Sequence, residues 1–449
     1  MDSKTSRYLL VILAHVLLGV AVFLVHPLAK VYGYAIILLG LFYVIKNRNA
    51  NHEVLLVGAY MVGSEAFLRM TQGNPVYEFS KYGIMGFLLL GMYFRGFSKS
   101  AVPYWLFLAL LIPGIIIGTY DLNYDTDLAK IISFNISGSL CLGMTAMYCY
   151  RRRFTFDQIN NLLLHVGLPV VTMTIYLILY TPSIRDVITG TSSNYETSGG
   201  FGPNQVATAL GLGMFVFFSR MFLVSSNLLQ FVVNLSIGAF IAYRGLITFS
   251  RGGMVTGFCM LVMLALITYL KINRSGRGKF NIVLTFFAVV AFSVWSFSSF
   301  QTGGLIDKRY ANQDAAGRVK KSRFTGREQI SATEIEFFLK SPVLGIGVGK
   351  GVEKRLEETG TVVLSHSEVT RLLAEHGSLG VMCLLILFAT PFVLYLDNKQ
   401  HIYVASFVCF WLLTINHAAM RLAAPAFIYG LSVLQIIRTD APRAAVHRE

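Results

Sequence analysis

Charge is what this 449-residue chain has least of: 14% of its residues are charged, against 55% hydrophobic. Soluble domains carry roughly 25% charged residues, so this shortage, with a mean hydropathy of +0.60, excludes an ordinary soluble protein. Cysteine is sparse as well. Cys141, Cys149, Cys259, Cys383 and Cys409 all sit in apolar stretches, with no C-x-x-C and no neighbouring histidines. They read as small buried hydrophobes, not as a metal or redox centre. Gly345, Gly347 and Gly349 lack the flanking lysine–hydroxyl pair and the preceding strand of a phosphate loop, so nothing reads as an ATP motif. A backbone turn beneath a site suits them better. The first apolar run lacks a small-x-small cleavage site and is followed at once by a second, which reads as a span and not a signal peptide. No internal repeat is visible, so an inverted-repeat transporter gains no support.

What is present is hydrocarbon-crossing sequence. Runs 8–25, 104–119, 161–180, 253–270 and 281–300 approach or reach the ~20 residues that cross a bilayer as helix. The expected fold is all-α, a polytopic transmembrane bundle of about 12–14 spans. Residues 1–300 would form spans one to eleven, 301–367 a large outer loop, 368–438 the last spans (402–417 and 423–437 closing the bundle), and 439–449 a tail. The net charge of +15 suggests no nucleic-acid partner; it follows the bias of Lys and Arg toward cytoplasmic loops. Lys46-Asn47-Arg48, Arg95 with Lys99, Arg151-Arg152-Arg153 and the basic residues from Lys271 to Lys279 mark that side. The acidic loop from Asp121 to Asp127 and the polar loop 181–204 fall on the other, with both termini cytoplasmic.

An ionisable residue within a span costs about 2.5–3.5 kcal/mol on insertion scales, so it needs a partner or a use. Arg244 and Arg251, seven residues apart, share a face if their helix continues, and two like charges there invite an anion between them. Gly252-Gly253 leave backbone N–H groups free to help hold a phosphate. Arg327, in Gly326-Arg327-Glu328, adds a loop cation. His366 lies among Ser365, Ser367, Glu368 and Arg371, and an imidazole titrating near neutrality suits proton transfer. Glu65 with Arg69, and Arg371 with Glu375, stand at i,i+4 spacing and read as ion pairs inside the bundle that support the site. Asp125-Thr126-Asp127 imitates a metal-binding pair but has no other ligand nearby, so neither metal nor cofactor is expected.

Taken in order, Ser250-Arg251-Gly252-Gly253, Gly326-Arg327 with Pro342 to Gly349, and His366-Ser367 continuing to Leu372-Leu373-Ala374-Glu375-His376-Gly377 and Gly380 resemble the O-antigen ligase and polymerase superfamily of membrane glycosyltransferases. The resemblance covers Arg251 to Gly380. It implies a GT-C-like, metal-independent, inverting enzyme of the bacterial inner membrane with a periplasmic site. The donor would be a glycan on undecaprenyl pyrophosphate, and the acceptor a growing glycan or lipid A-core. Arg251 and Arg327 would hold the pyrophosphate and His366 would take the acceptor proton. Arg244 joins them on spacing alone. The acceptor separates repeat-unit (O-antigen or exopolysaccharide) polymerase, lipid A-core ligase and protein O-oligosaccharyltransferase. About fourteen spans without a large soluble C-terminal domain favour polymerase. A lipid-linked-glycan flippase is the alternative of another class, but it would string charges through the midplane. Residues 301–325 are expected to be mobile without substrate.

Overall fold

The computed structural model describes residues 3–123, 127–320, 327–360 and 363–437, apart from the side chains of Arg327, Glu358 and Thr359. Helices α1 (Ser3–Leu24), α2 (Leu28–Asn47), α3 (Glu53–Met70) and α4 (Phe79–Arg95) open the chain. Next come α5 (Val102–Asp121), α6 (Leu128–Cys149), α7 (Phe156–Tyr180) and the short α8 (Ile184–Val187). Then follow α9 (Pro203–Leu223), α10 (Leu228–Ile247), α11 (Arg251–Lys271) and α12 (Arg274–Gln301). Three smaller helices, α13 (Leu305–Tyr310), α14 (Arg327–Lys340) and α15 (Lys350–Thr359), occupy the stretch expected to be loop. The chain closes with α16 (Glu368–Asp397), α17 (Val404–His417) and α18 (Ala424–Leu431).

Among the described residues, 10 helices are long and apolar enough to cross a membrane. The architecture is that of a polytopic all-α membrane protein. Large apolar side chains exposed on the outer helices, such as Leu13 of α1, Leu38 and Phe42 of α2 and Phe292 of α12, suit a lipid surround. Helix α3 is different: nearly all of it is buried, Glu65 included, among α2, α4, α7 and α9. Its charges therefore face protein and not lipid, which is where intramembrane charge is tolerated. Helices α9 and α11 cross backbone to backbone. A Cβ on Gly211 would stand 2.1 Å from the Gly253 carbonyl oxygen, and one on Gly257 2.4 Å from that of Gly211, the close approach that small residues allow between membrane helices.

Successive helices lead the chain back and forth between two ends. At one end Arg151 N–H donates to the Val433 carbonyl, Arg152 to that of Gly96, and Arg151 pairs with Asp397 at 2.8 Å. The described residues of the runs 71–78, 248–250, 302–367 and 418–423 gather at the other.

The last span differs from the expected 423–437. Helix α18 has only 8 residues, about 12 Å of rise, and the chain then turns into a short strand. That strand, β2 (Gln435–Ile437), pairs in parallel with β1 (Arg153–Thr155). The non-helical backbone of this turn is covered by the rest of the bundle: Ser432, Val433 and Leu434 are all buried.

Candidate active site

Arg251 is the first residue of α11, and the turn before it explains why. Helix α10 stops at Ile247, and Phe249 takes a positive φ of 57°. The Arg309 Nε of α13 donates to the Phe249 carbonyl at 2.8 Å, pinning the turn, and Arg251 Nη1 lies 3.4 Å from the Arg309 carbonyl. Because the helix breaks here, Arg244 and Arg251 do not share a face. Arg244 turns inward, 2% exposed, and its Nη2 donates to the carbonyls of Leu177 at 3.0 Å and Thr197 at 3.1 Å. The partner that the spacing assigned to an anion is a pair of backbone carbonyls. Arg251 instead keeps company with Arg309 and Lys320. The ammonium pKa of Lys320 is lowered, first by burial and then by Arg309 and Arg251.

Arg327 begins α14, but its side chain and all of Gly326 lie outside the described residues. Of the segment expected to be mobile, 321–325 lies outside them as well. Residues up to 320 form α13 and a turn in which Arg318 pairs with Asp314 at 2.7 Å.

His366 is half-buried in the short link before α16, and its carbonyl accepts from the Ala419 N–H at 3.1 Å. Its neighbours hold that link in place. The Ser367 side chain caps α16 through the Thr370 N–H. The Ser365 hydroxyl lies 3.2 Å from Glu334 Oε2, and Glu334 also accepts from Thr370 Oγ1 at 2.6 Å and from Arg355 at 3.2 Å. Burial raises the Glu334 carboxyl pKa above its ordinary value.

Beneath the link lies a buried ionic layer. Arg371 bonds to both Glu368 oxygens, to Glu375 at 3.4 Å, and to Asn135 Oδ1 and O at 2.6 and 2.8 Å. Glu375 in turn accepts the Gly349 N–H at 2.9 Å. Glu65 pairs with Arg69 at 2.8 Å, and Glu78 links Arg69 to Lys81, which it meets at 2.6 Å. A cavity beside these groups is lined by Lys81, Glu334, Ser365, Glu368, Arg371 and Arg421 together with apolar side chains such as Phe134, Leu364 and Met420.

Gly345, Gly347 and Gly349 form the turn beneath the site, at φ of 73°, 86° and 83°. The turn lies directly on other backbone: a Cβ on Gly345 would meet Glu375 C at 2.5 Å, and one on Gly347 would meet Gly118 N at 2.5 Å. Asp127 caps α6 by accepting from the Lys130 N–H, and Asp125 lies outside the described residues.

Sequence reasoning missed Lys81, Glu334, Arg309, Arg355 and Arg421. Glu78 and Lys81 carry a legible signal, an i,i+3 pair at the mouth of a span. Arg421, between two short apolar runs, could have been noticed as an isolated charge in the sequence.

The arrangement thus gathers an arginine turn, a histidine link and an ionic layer from distant parts of the chain at one end of the bundle. Residues 237–385, about a third of the chain, match the family model described as O-Antigen ligase (Wzy_C). The match supports the O-antigen ligase and polymerase superfamily for this segment. No curated protein and no solved structure matches the chain. The segment contains Arg251, Arg327, His366, Glu368, Arg371 and Glu375, whereas Glu65, Arg69, Lys81 and Arg421 lie outside it. The chain is accordingly a polytopic helical membrane protein in which residues 237–385 match that family model.

Proposed function

We propose that this protein transfers a glycan from undecaprenyl pyrophosphate to a sugar hydroxyl at the periplasmic face of the bacterial inner membrane, acting as a repeat-unit polymerase. The observation that carries the reading is that one turn, the one after α17, meets both Gly252, next to Arg251, through the His417 ring and the His366 carbonyl through the Ala419 N–H, although Arg251 and His366 lie more than a hundred residues apart in sequence. In this reading the acceptor oxygen attacks the anomeric carbon from the side opposite the leaving group, which inverts that centre. The anomeric C–O bond breaks, and undecaprenyl pyrophosphate departs with the electron pair. His366 receives the hydroxyl proton as the new bond forms. Arg251, with Arg309 and Lys320 beside it, offsets the charge that grows on the pyrophosphate, a role for which a guanidinium fork is well shaped. Arg327 opens α14 close in sequence to this group and is assigned the same duty. Arg244 is assigned a structural one, since it is buried and its Nη2 donates to the carbonyls of Leu177 and Thr197. The ion pairs of Glu65, Arg69, Glu368, Arg371 and Glu375 hold the scaffold, and no step is routed through a metal or cofactor.

A second reading, transfer to lipid A-core, is favoured by the description of the matching family as O-antigen ligase. Deleting the gene and examining the surface glycans separates the two. Single repeats still attached to their anchor support polymerase; full-length chains left on the lipid carrier support ligase. Complementation with His366→Ala tests both. Wild-type glycans from that variant would overturn either reading.

A further inference from the structure

The turn between α17 and α18 lies beyond the matched segment, yet it touches both halves of the site. On the arginine side, the His417 ring lies against Gly252, where a Cβ would meet ring Cδ2 at 2.4 Å. The His417 carbonyl accepts from Asn204 Nδ2 at 2.8 Å, and Asn204 Oδ1 accepts from the Ser250 hydroxyl at 3.2 Å. On the histidine side, Ala419 N–H donates to the His366 carbonyl and Arg421 Nη2 to that of Ser365, both at 3.1 Å. The turn is itself anchored. Ala423 N–H donates to Glu65 Oε2 at 2.7 Å, which ties it to the ion-paired helix α3.

We propose that residues 417–423 set the spacing between the His366 imidazole and the Arg251 guanidinium, with Arg421 and Asn204 as positioning residues. The inference rests on the transfer reading above. His366 lies in a link outside any helix, so its backbone direction depends on the partners of the Ser365 and His366 carbonyls, and this turn supplies a donor to each. Arg251 begins a helix whose preceding residue, Ser250, is held through Asn204 to the same turn. Loss of either tie leaves both reactive groups present but misplaced. A misplacement of about 1 Å costs on the order of 100-fold in rate, while donor affinity, which does not require the histidine, is retained when only the Arg421 tie is lost.

The test uses the full-length protein in detergent with a polyprenyl-pyrophosphate glycan donor, measuring kcat, donor KM and thermal midpoint. Arg421→Ala is expected to lower kcat by about 10- to 100-fold with donor KM within about twofold of wild type, whereas Asn204→Ala, which releases the arginine side, lowers kcat by a similar factor and raises donor KM as well. Arg421→Lys, which can still reach the Ser365 carbonyl, restores part of that loss. Adding Arg421→Ala to His366→Ala slows the reaction no further, because the arginine acts through the histidine. Wild-type kcat in both single variants overturns the proposal, as does an Arg421→Ala effect that multiplies fully onto the His366→Ala background. Should Arg421→Ala fail to fold, Arg421→Lys and Asn204→Ala carry the same comparison. If His366→Ala keeps wild-type kcat, the transfer reading itself has failed, a result distinct from either outcome for the turn.

Discussion

The carboxylate of Glu375, buried in α16, accepts the N–H of Gly349 at 2.9 Å, so an ion-paired side chain holds the end of the glycine turn. The same carboxylate faces Arg371 at 3.4 Å and therefore joins the ionic layer to the turn beneath the histidine link. Glu375→Ala removes both partners and is expected to destabilise the protein by on the order of 3 kcal/mol, the range found when one member of a buried pair is deleted. Glu375→Gln, which keeps an acceptor for Gly349, loses less. Thermal unfolding of the two variants in one detergent measures the difference.

Gly347 and Gly304 both hold positive φ, 86° and 78°, but only Gly347 abuts other backbone. Gly304→Ala carries the left-handed penalty alone, about 1–2 kcal/mol. Gly347→Ala adds a clash with Gly118 backbone atoms, which cannot yield as a side-chain tip would. Its thermal midpoint should fall well below that of Gly304→Ala; equal midpoints would mean that the turn does not rest on α5.

Arg244 and Arg251 should separate cleanly by assay. Arg244→Leu strips the donor from two buried carbonyls and is expected to cost on the order of 2 kcal/mol of stability. Arg251→Leu, at a half-buried position, should leave the unfolding midpoint close to wild type. If Arg251 faces the leaving pyrophosphate, the same change lowers kcat by about 100- to 1,000-fold, as removal of one charge-stabilising donor does elsewhere. A thermal melt and a donor-turnover assay on the same preparations check both halves.

Burial raises the Glu334 carboxyl pKa above 4.5, so the folded protein binds more protons than the unfolded chain between the two values. The docking of α14 should therefore strengthen as pH falls through the raised value, with the full gain present below the ordinary one. Hydrogen exchange of the α14 amides, corrected for intrinsic rate, reads this as greater protection at about pH 5 than at about pH 7. Greater protection at the higher pH would contradict the assignment.

Some of this was legible because it depends on local composition. A polytopic helical bundle follows from long apolar runs that bury badly in water and well in lipid. The Glu65–Arg69 and Arg371–Glu375 pairs follow from helical spacing, and both are formed. The glycine turn followed from three alternate glycines that no regular element accommodates. The same spacing rule misled at Arg244 and Arg251, because it assumes a continuous helix and Phe249 breaks it.

The sequence by itself determined which segments seek lipid, which charges must find partners and where the family segment lies, since each of these depends on residues close together in the chain. Only the tertiary structure decided which partner each charge found. Arg244 meets two carbonyls because α7 and the 194–198 turn pass beside it, and Arg421 meets Ser365 because α17 returns the chain to the histidine link. Those encounters depend on how distant helices pack against one another, and side-chain volumes across the whole bundle set that packing.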